Sequence, residues 1–270
     1  MSHPSSSDPE PRPIPALFVI DMQKGIATDP ATRIPDADRV LANAEKLITA
    51  FRENCIDLPR IRKDLYTDES EPPPGVIIIV QHTDLQPGIG PFLQQDTAPW
   101  ELVFQPRPDE LGVTEFVIHK TTRDAFESPG NEDLAEKLKG LGIGRWVYVC
   151  GIQSEYCVLS TIKGLLRAGF GGGRDSNIVL VEGAHSTYDG EGKTAVEIEE
   201  EVQREVGEMV AAGRTVVKEG KDEDKGCGVG GGEVAGAGTW SDGNRTVFGF
   251  DEIIDAWRKR WEYKEWVREV

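Results

Sequence analysis

The stretch RWVYVCGIQSEYCVLSTIKGLLRAGF, residues 145–170, decides the fold. Its opening run, WVYVC, is apolar and rich in β-branched and aromatic residues, as befits a strand covered on both faces. After the short polar crossing GIQS, the segment EYCVLSTIKGLLRAGF (155–170) places apolar residues at helical spacing and stops at glycine. A strand that passes so quickly into a helix is half of a βαβ unit, and it asks for a parallel sheet.

The same rhythm extends in both directions. Apolar runs recur at ALFVID (16–21), GVIIIVQH (75–82), TEFVIHK (114–120) and NIVLVEG (177–183). Helical patterns alternate with them at 37–54, 131–142 and 194–213. This pattern predicts an α/β fold: one three-layer domain over residues 15–217, with a Rossmann-like parallel sheet of about six strands and helices on both faces. Two segments compete for the last strand, RTVV (214–217) and TVFGF (246–250), and TVFGF is the preferred reading. Residues 1–14 are polar and proline-rich and read as a disordered tail, and residues 83–113 as a long loop. Residues 218–245 read as a flexible glycine-rich insertion, and 246–270 as the final strand followed by an aromatic helix.

Composition narrows the classes of function. Among 270 residues, 47 Asp and Glu against 30 Lys and Arg give a net charge of −17, which argues against a nucleic-acid surface. No apolar run is long enough to span a bilayer, and the N-terminal stretch lacks a leader's apolar segment, so neither membrane nor export is expected. Four cysteines without a framework of spacings read as free thiols in a reducing, cytoplasmic setting. The run GFGGGR (169–174) follows a helix and fails the dinucleotide spacing, so no cofactor is implied; the expected partner is a small-molecule substrate.

Open parallel sheets collect functional groups where strands end and loops begin. There the sequence offers Asp21 after the first run, Lys120 after the third and Cys157 beyond the fourth. Ser154 reads as an N-cap, which puts Cys157 at the third helical position, where free N–H groups and the helix dipole favour a thiolate. The same N–H groups suit an oxyanion. Cys150, inside a strand, reads as inert core. Taken singly, the cysteine reads as packing, the aspartate as a turn former and the lysine as a solvated strand end; their convergence on one edge carries the catalytic reading. Phe126, Trp100 and His82 are candidate pocket residues, each with a packing or backbone-bonded alternative.

The segments ALFVIDMQKG, FVIHKTTRDAF and VCGIQSEYCVLSTIKGLLRAGF, in this order, resemble the isochorismatase-like cysteine hydrolases, which include nicotinamidases and N-carbamoylsarcosine and ureidoacrylate amidohydrolases. The resemblance spans about 14–215; VEGAHSTYD (181–189) departs from it, with Glu182-Gly183 where relatives have Asp-Ala. It implies that Asp21 accepts the thiol proton, Lys120 holds the pair, and Cys157 forms a thioester with an amide-type or ureido-type substrate. It also implies a cis peptide at Ile152–Gln153, oxyanion donors on the backbone of Gln153 and Cys157, and a homo-oligomer. Nicotinamidases hold a metal through an Asp and two nearby His residues. Here the four histidines (His3, His82, His119, His185) are widely spaced and residues 53–69 contain none, so no metal is expected and nicotinamide is disfavoured. Two alternatives stand beside this reading: a vinyl ether hydrolase of the isochorismate type, and a non-catalytic binding protein using the tail tryptophans Trp257, Trp261 and Trp266.

Overall fold

The computed structural model describes residues 14–54, 75–87, 92–107, 115–171, 177–219 and 247–249. Six strands form one sheet: β1 (Ile14–Ile20), β2 (Val76–His82), β3 (Glu115–Lys120), β4 (Ile143–Ile152), β5 (Asn177–Ser186) and β6 (Val247–Gly249). Every pairing is parallel and the spatial order is β3-β2-β1-β4-β5-β6. The helices are α1 (Lys24–Ala27), α2 (Ala37–Asn54), α3 (Leu134–Gly140), α4 (Leu159–Arg167) and α5 (Ala195–Glu219).

The three layers follow from alternation along β1. Leu17 and Val19 face one cluster with Val40, Ala44, Leu47, Ile48 and Phe51 of α2, whose spacing marks one helical stripe. Ala16, Phe18 and Ile20 face the other cluster with Leu138 of α3, Ile162 and Leu165 of α4, and Val202, Val206 and Val210 of α5. Because both faces are covered, β1 reads as an unbroken apolar run, which is why periodicity alone does not show its two sides.

Chain order sets the position of the site. From β1 the chain winds outward to β2 and β3, then returns to β4 on the other side of β1 and winds outward again. The crevice of such a sheet opens at this reversal, beyond the carboxyl ends of β1 and β4. Those two ends approach closely at Gly151, which pairs with Ile20 and has φ 146°. A Cβ at Gly151 would lie 2.3 Å from the Ile20 carbonyl oxygen, so only glycine fits.

The sixth strand, Val247–Gly249 beside β5, falls within the preferred reading TVFGF, and 214–217 is helical. Two boundaries differ from the sequence reading: Ile14, given to the tail, opens β1, and α5 runs on to Glu219, into the first residues given to the glycine-rich insertion. The predicted tail over 1–13, the glycine-rich stretch over 220–245 and the aromatic segment over 251–270 lie outside the described residues. No helix among the described residues is long and apolar enough to cross a membrane.

Candidate active site

Asp21 leaves β1 in the left-handed region, φ 50°, a conformation Asp tolerates better than most residues. Its backbone is fixed by a bond from its N–H to the Val80 carbonyl (2.9 Å) and by the Gln23 N–H donating to its own carbonyl (2.9 Å). Lys120 ends β3 opposite His82 of β2, and its side chain is fully buried. Its ammonium lies 2.7 Å from Asp21 Oδ2, 3.1 Å from Cys157 Sγ, 3.1 Å from the Thr122 carbonyl and 3.3 Å from His82 Nδ1. Burial opposes the charge on Lys120, but Asp21 and Cys157 outweigh it and hold the amine above the ordinary lysine range. The Asp21–Lys120 contact is a close ion pair without directional hydrogen-bond geometry. Both carboxylate oxygens are buried and accept no hydrogen bond from the described residues, which leaves them open to a proton.

Cys157 sits differently from the sequence expectation. Ser154–Val158 is a π-turn that precedes α4, and Gln153, not Ser154, stands at its N-cap without a side-chain bond. The Ser154 hydroxyl is engaged elsewhere, 2.8 Å from Nδ1 of the buried His185. The Gln153 carbonyl accepts from the N–H groups of Tyr156 (3.2 Å) and Val158 (3.1 Å) and passes over that of Cys157 between them. The Ile152–Gln153 peptide is cis.

The thiol is not poised as a thiolate at rest. Burial and the Asp21 carboxylate push it up to about 12, and Lys120 offsets only part of this. Desolvation and a neighbouring negative charge thus outweigh the helix dipole at this sulfur and favour the thiol. Cys150 is buried, donates to the Phe18 carbonyl at 3.6 Å, and burial alone pushes it higher still.

Of the three pocket candidates, His82 is brought to the cluster. A ring nitrogen of His82, Cys157 Sγ and an Asp21 carboxylate oxygen lie within 4.8 Å of one another. Those three donors are of a type that holds zinc. The Lys120 ammonium stands among them at 2.7–3.3 Å and fills the position of a cation, so the set does not fit a metal while Lys120 is in place. Trp100 stacks on His119 (ring centroids 6.0 Å apart) and donates to Thr83 Oγ1 at 2.8 Å. His119 points to the opposite face of β3 from Lys120, so the ring serves packing there. Phe126 packs against α4, its ring edge 2.6 Å from where a Gly164 Cβ would lie.

Sequence reasoning missed the residues that hold these groups. Gln23 clamps the backbone of His82 from both sides, donating to its carbonyl (2.9 Å) and accepting from its N–H (2.8 Å). Asp84 lies 3.0 Å from His82 Nε2. The signal for Asp84 was its position two residues after His82 at a strand end, where a carboxylate can reach back to a ring.

Two streptothricin hydrolases of Streptomyces noursei are each 30% identical to the chain, over 178 and 176 residues, or 66% and 65% of it. The chain spans about half the length of these curated relatives, 56% and 51%. An isochorismatase-family protein from Chromobacterium violaceum shares the fold with a TM-score of 0.54 at 18% identity, covering 92% of this chain and 99% of its own. A nicotinamidase/pyrazinamidase from Bacillus subtilis does so with a TM-score of 0.51 at 18% identity, covering 73% of this chain and 97% of its own. The model of the isochorismatase domain matches residues 15–206, from β1 into α5, and the chain belongs to the isochorismatase family.

Proposed function

We propose that this chain hydrolyses a carbon–nitrogen bond of a small amide-type or ureido-type molecule through a thioester on Cys157. One observation carries the reading: a single buried ammonium touches both a carboxylate with open oxygens, at 2.7 Å, and a thiol, at 3.1 Å, at the reversal point of the sheet. Asp21 takes the proton from Sγ as Sγ attacks the substrate carbonyl carbon. Lys120 keeps sulfur and carboxylate together and stabilises the negative charge that passes between them. The N–H groups of Gln153 and Cys157 receive the oxyanion; the bonding of the Gln153 carbonyl, which skips Cys157, supports that role. Collapse of the tetrahedral adduct expels the amine, which takes the proton from Asp21. Water then attacks the thioester and gives a proton to Asp21; sulfur departs as thiolate beside Lys120 and recovers that proton as the acid leaves.

The names of the relatives, streptothricin hydrolase and nicotinamidase/pyrazinamidase, favour amide substrates over a vinyl ether. The intact Asp21, Lys120 and Cys157 set also favours nucleophilic chemistry over a purely binding role. We further propose that the chain self-associates, which light scattering tests. The hydrolase test is ammonia or amine release from a panel of primary amides, lactams and ureido acids. Wild-type turnover that falls about a thousandfold or more in Cys157→Ala supports the reading; turnover retained by that variant refutes it.

A further inference from the structure

Resting on that reading, we infer that His82, oriented by Asp84, is a positioning residue that holds Lys120 against Cys157 while Asp21 carries the thiol proton. The ammonium has three N–H bonds and four neighbours: Cys157, Thr122 and His82 as hydrogen-bond acceptors, and the Asp21 carboxylate as a close ion pair. In the resting site the ion pair with Asp21 holds the ammonium most strongly, because the contact is short and both groups are charged. As Sγ attacks, Asp21 takes a proton and its charge disappears, so the ion pair fails at the moment when the ammonium must stay beside a developing negative charge. The acceptors that keep their character through this step are the Thr122 carbonyl at 3.1 Å and His82 Nδ1 at 3.3 Å.

The His82 ring is built for that task. Its Nε2 lies 3.0 Å from Asp84 Oδ1, an acceptor without a proton of its own, so Nε2 carries the hydrogen and Nδ1 presents a lone pair to Lys120. Asp84 is fixed in turn, for its Oδ2 accepts from the Leu93 N–H (2.8 Å) and its own N–H donates to the Leu93 carbonyl (3.0 Å). Gln23 clamps the His82 backbone from both sides, so neither ring nor main chain is free to swing away. The carboxylate of Asp84 places a negative charge behind the ring that does not change during the reaction.

Removing the charge of Asp21 by mutation imitates the protonated step, which gives a test independent of substrate. Wild type, Asp21→Asn, His82→Ala and the double variant are alkylated with iodoacetamide across pH, and the rate at Cys157 is read from its peptide by mass spectrometry. With Asp21 present, His82→Ala slows alkylation only slightly. In the Asp21→Asn background the same change slows it by about 10- to 100-fold, the worth of a hydrogen bond to a charged group. Equal slowing in both backgrounds, or none in either, overturns the positioning role. His82→Asn, which retains an acceptor near the Nδ1 position, restores part of the rate, and melting curves matching wild type separate this from misfolding. In turnover, His82→Ala lowers kcat and leaves KM within about threefold, as expected for an interaction made after binding; a rise in KM alone overturns the role. Absence of ammonia release from wild type counts against the hydrolase reading and leaves the alkylation cycle to decide the role of His82.

Discussion

Replacing Lys120 by Met removes a buried cation of similar length and leaves its partner behind. At 2.7 Å and an effective dielectric constant of about 20, the attraction between Lys120 and Asp21 is about 6 kcal/mol, much of it offset by the desolvation of both charges. The cost of breaking the pair lies mainly in the orphan: Asp21 is 1% exposed and its oxygens have no hydrogen-bond donor among the described residues to replace the ammonium. Buried pairs broken on one side typically lose about 3–5 kcal/mol, while pairs removed on both sides lose little. Lys120→Met is therefore expected to unfold in urea with about 3–5 kcal/mol less stability than wild type. Asp21→Asn/Lys120→Met recovers most of that loss without recovering turnover. If Lys120→Met is as stable as wild type, or the double variant is no better than the single, the ion pair is not the buried, mutually dependent unit described above.

Three further outcomes follow from the same geometry. Alkylation of Cys157 rises about tenfold per pH unit from neutral to mildly alkaline pH, because the fraction of thiolate sets the rate, while Cys150 stays unmodified in the folded protein; a rate flat between pH 6 and 8 means that Cys157 is already a thiolate. Gly151→Ala, whose methyl group would meet the Ile20 carbonyl at 2.3 Å, lowers stability by about 1–3 kcal/mol or more and moves Asp21 off its mark, and thermal unfolding equal to wild type would contradict this. Burial, helped by the nearby Arg39, pulls His185 down from 6.5 to about 3, so the folded state binds fewer protons than the unfolded chain between these values. The stability this contributes is complete above pH 6.5 and is lost as pH falls toward 3, with a slope of up to about 1.4 kcal/mol per pH unit. Urea titrations show that slope in wild type and less of it in His185→Asn; identical slopes would refute it.

Much of this was readable from the residues. The helix at 37–54 has the bounds its apolar stripe announces, and β1, β2 and β3 end where their apolar runs meet Asp21, His82 and Lys120. Those signals are local, since burial on both faces writes itself into a short run. The rest depends on tertiary competition. Ser154 has the chemistry of a cap, but its hydroxyl meets His185, from the far end of β5, and the turn before α4 is a π-turn with Gln153 at its N-cap. The state of the Cys157 thiol is set by burial and Asp21 together, neither visible in the run around the cysteine. Nothing local to Trp100 announces that its ring stacks on His119 and donates to Thr83.

The central claim is that Cys157 becomes acylated during turnover. The most direct test is to quench the enzyme with acid during steady-state hydrolysis of an amide from the panel and to weigh its peptides by mass spectrometry. The account predicts an added acyl mass on the peptide that holds Cys157, sensitive to hydroxylamine and absent in Cys157→Ser. Steady-state turnover with that peptide unmodified, and retained in Cys157→Ala, would contradict it.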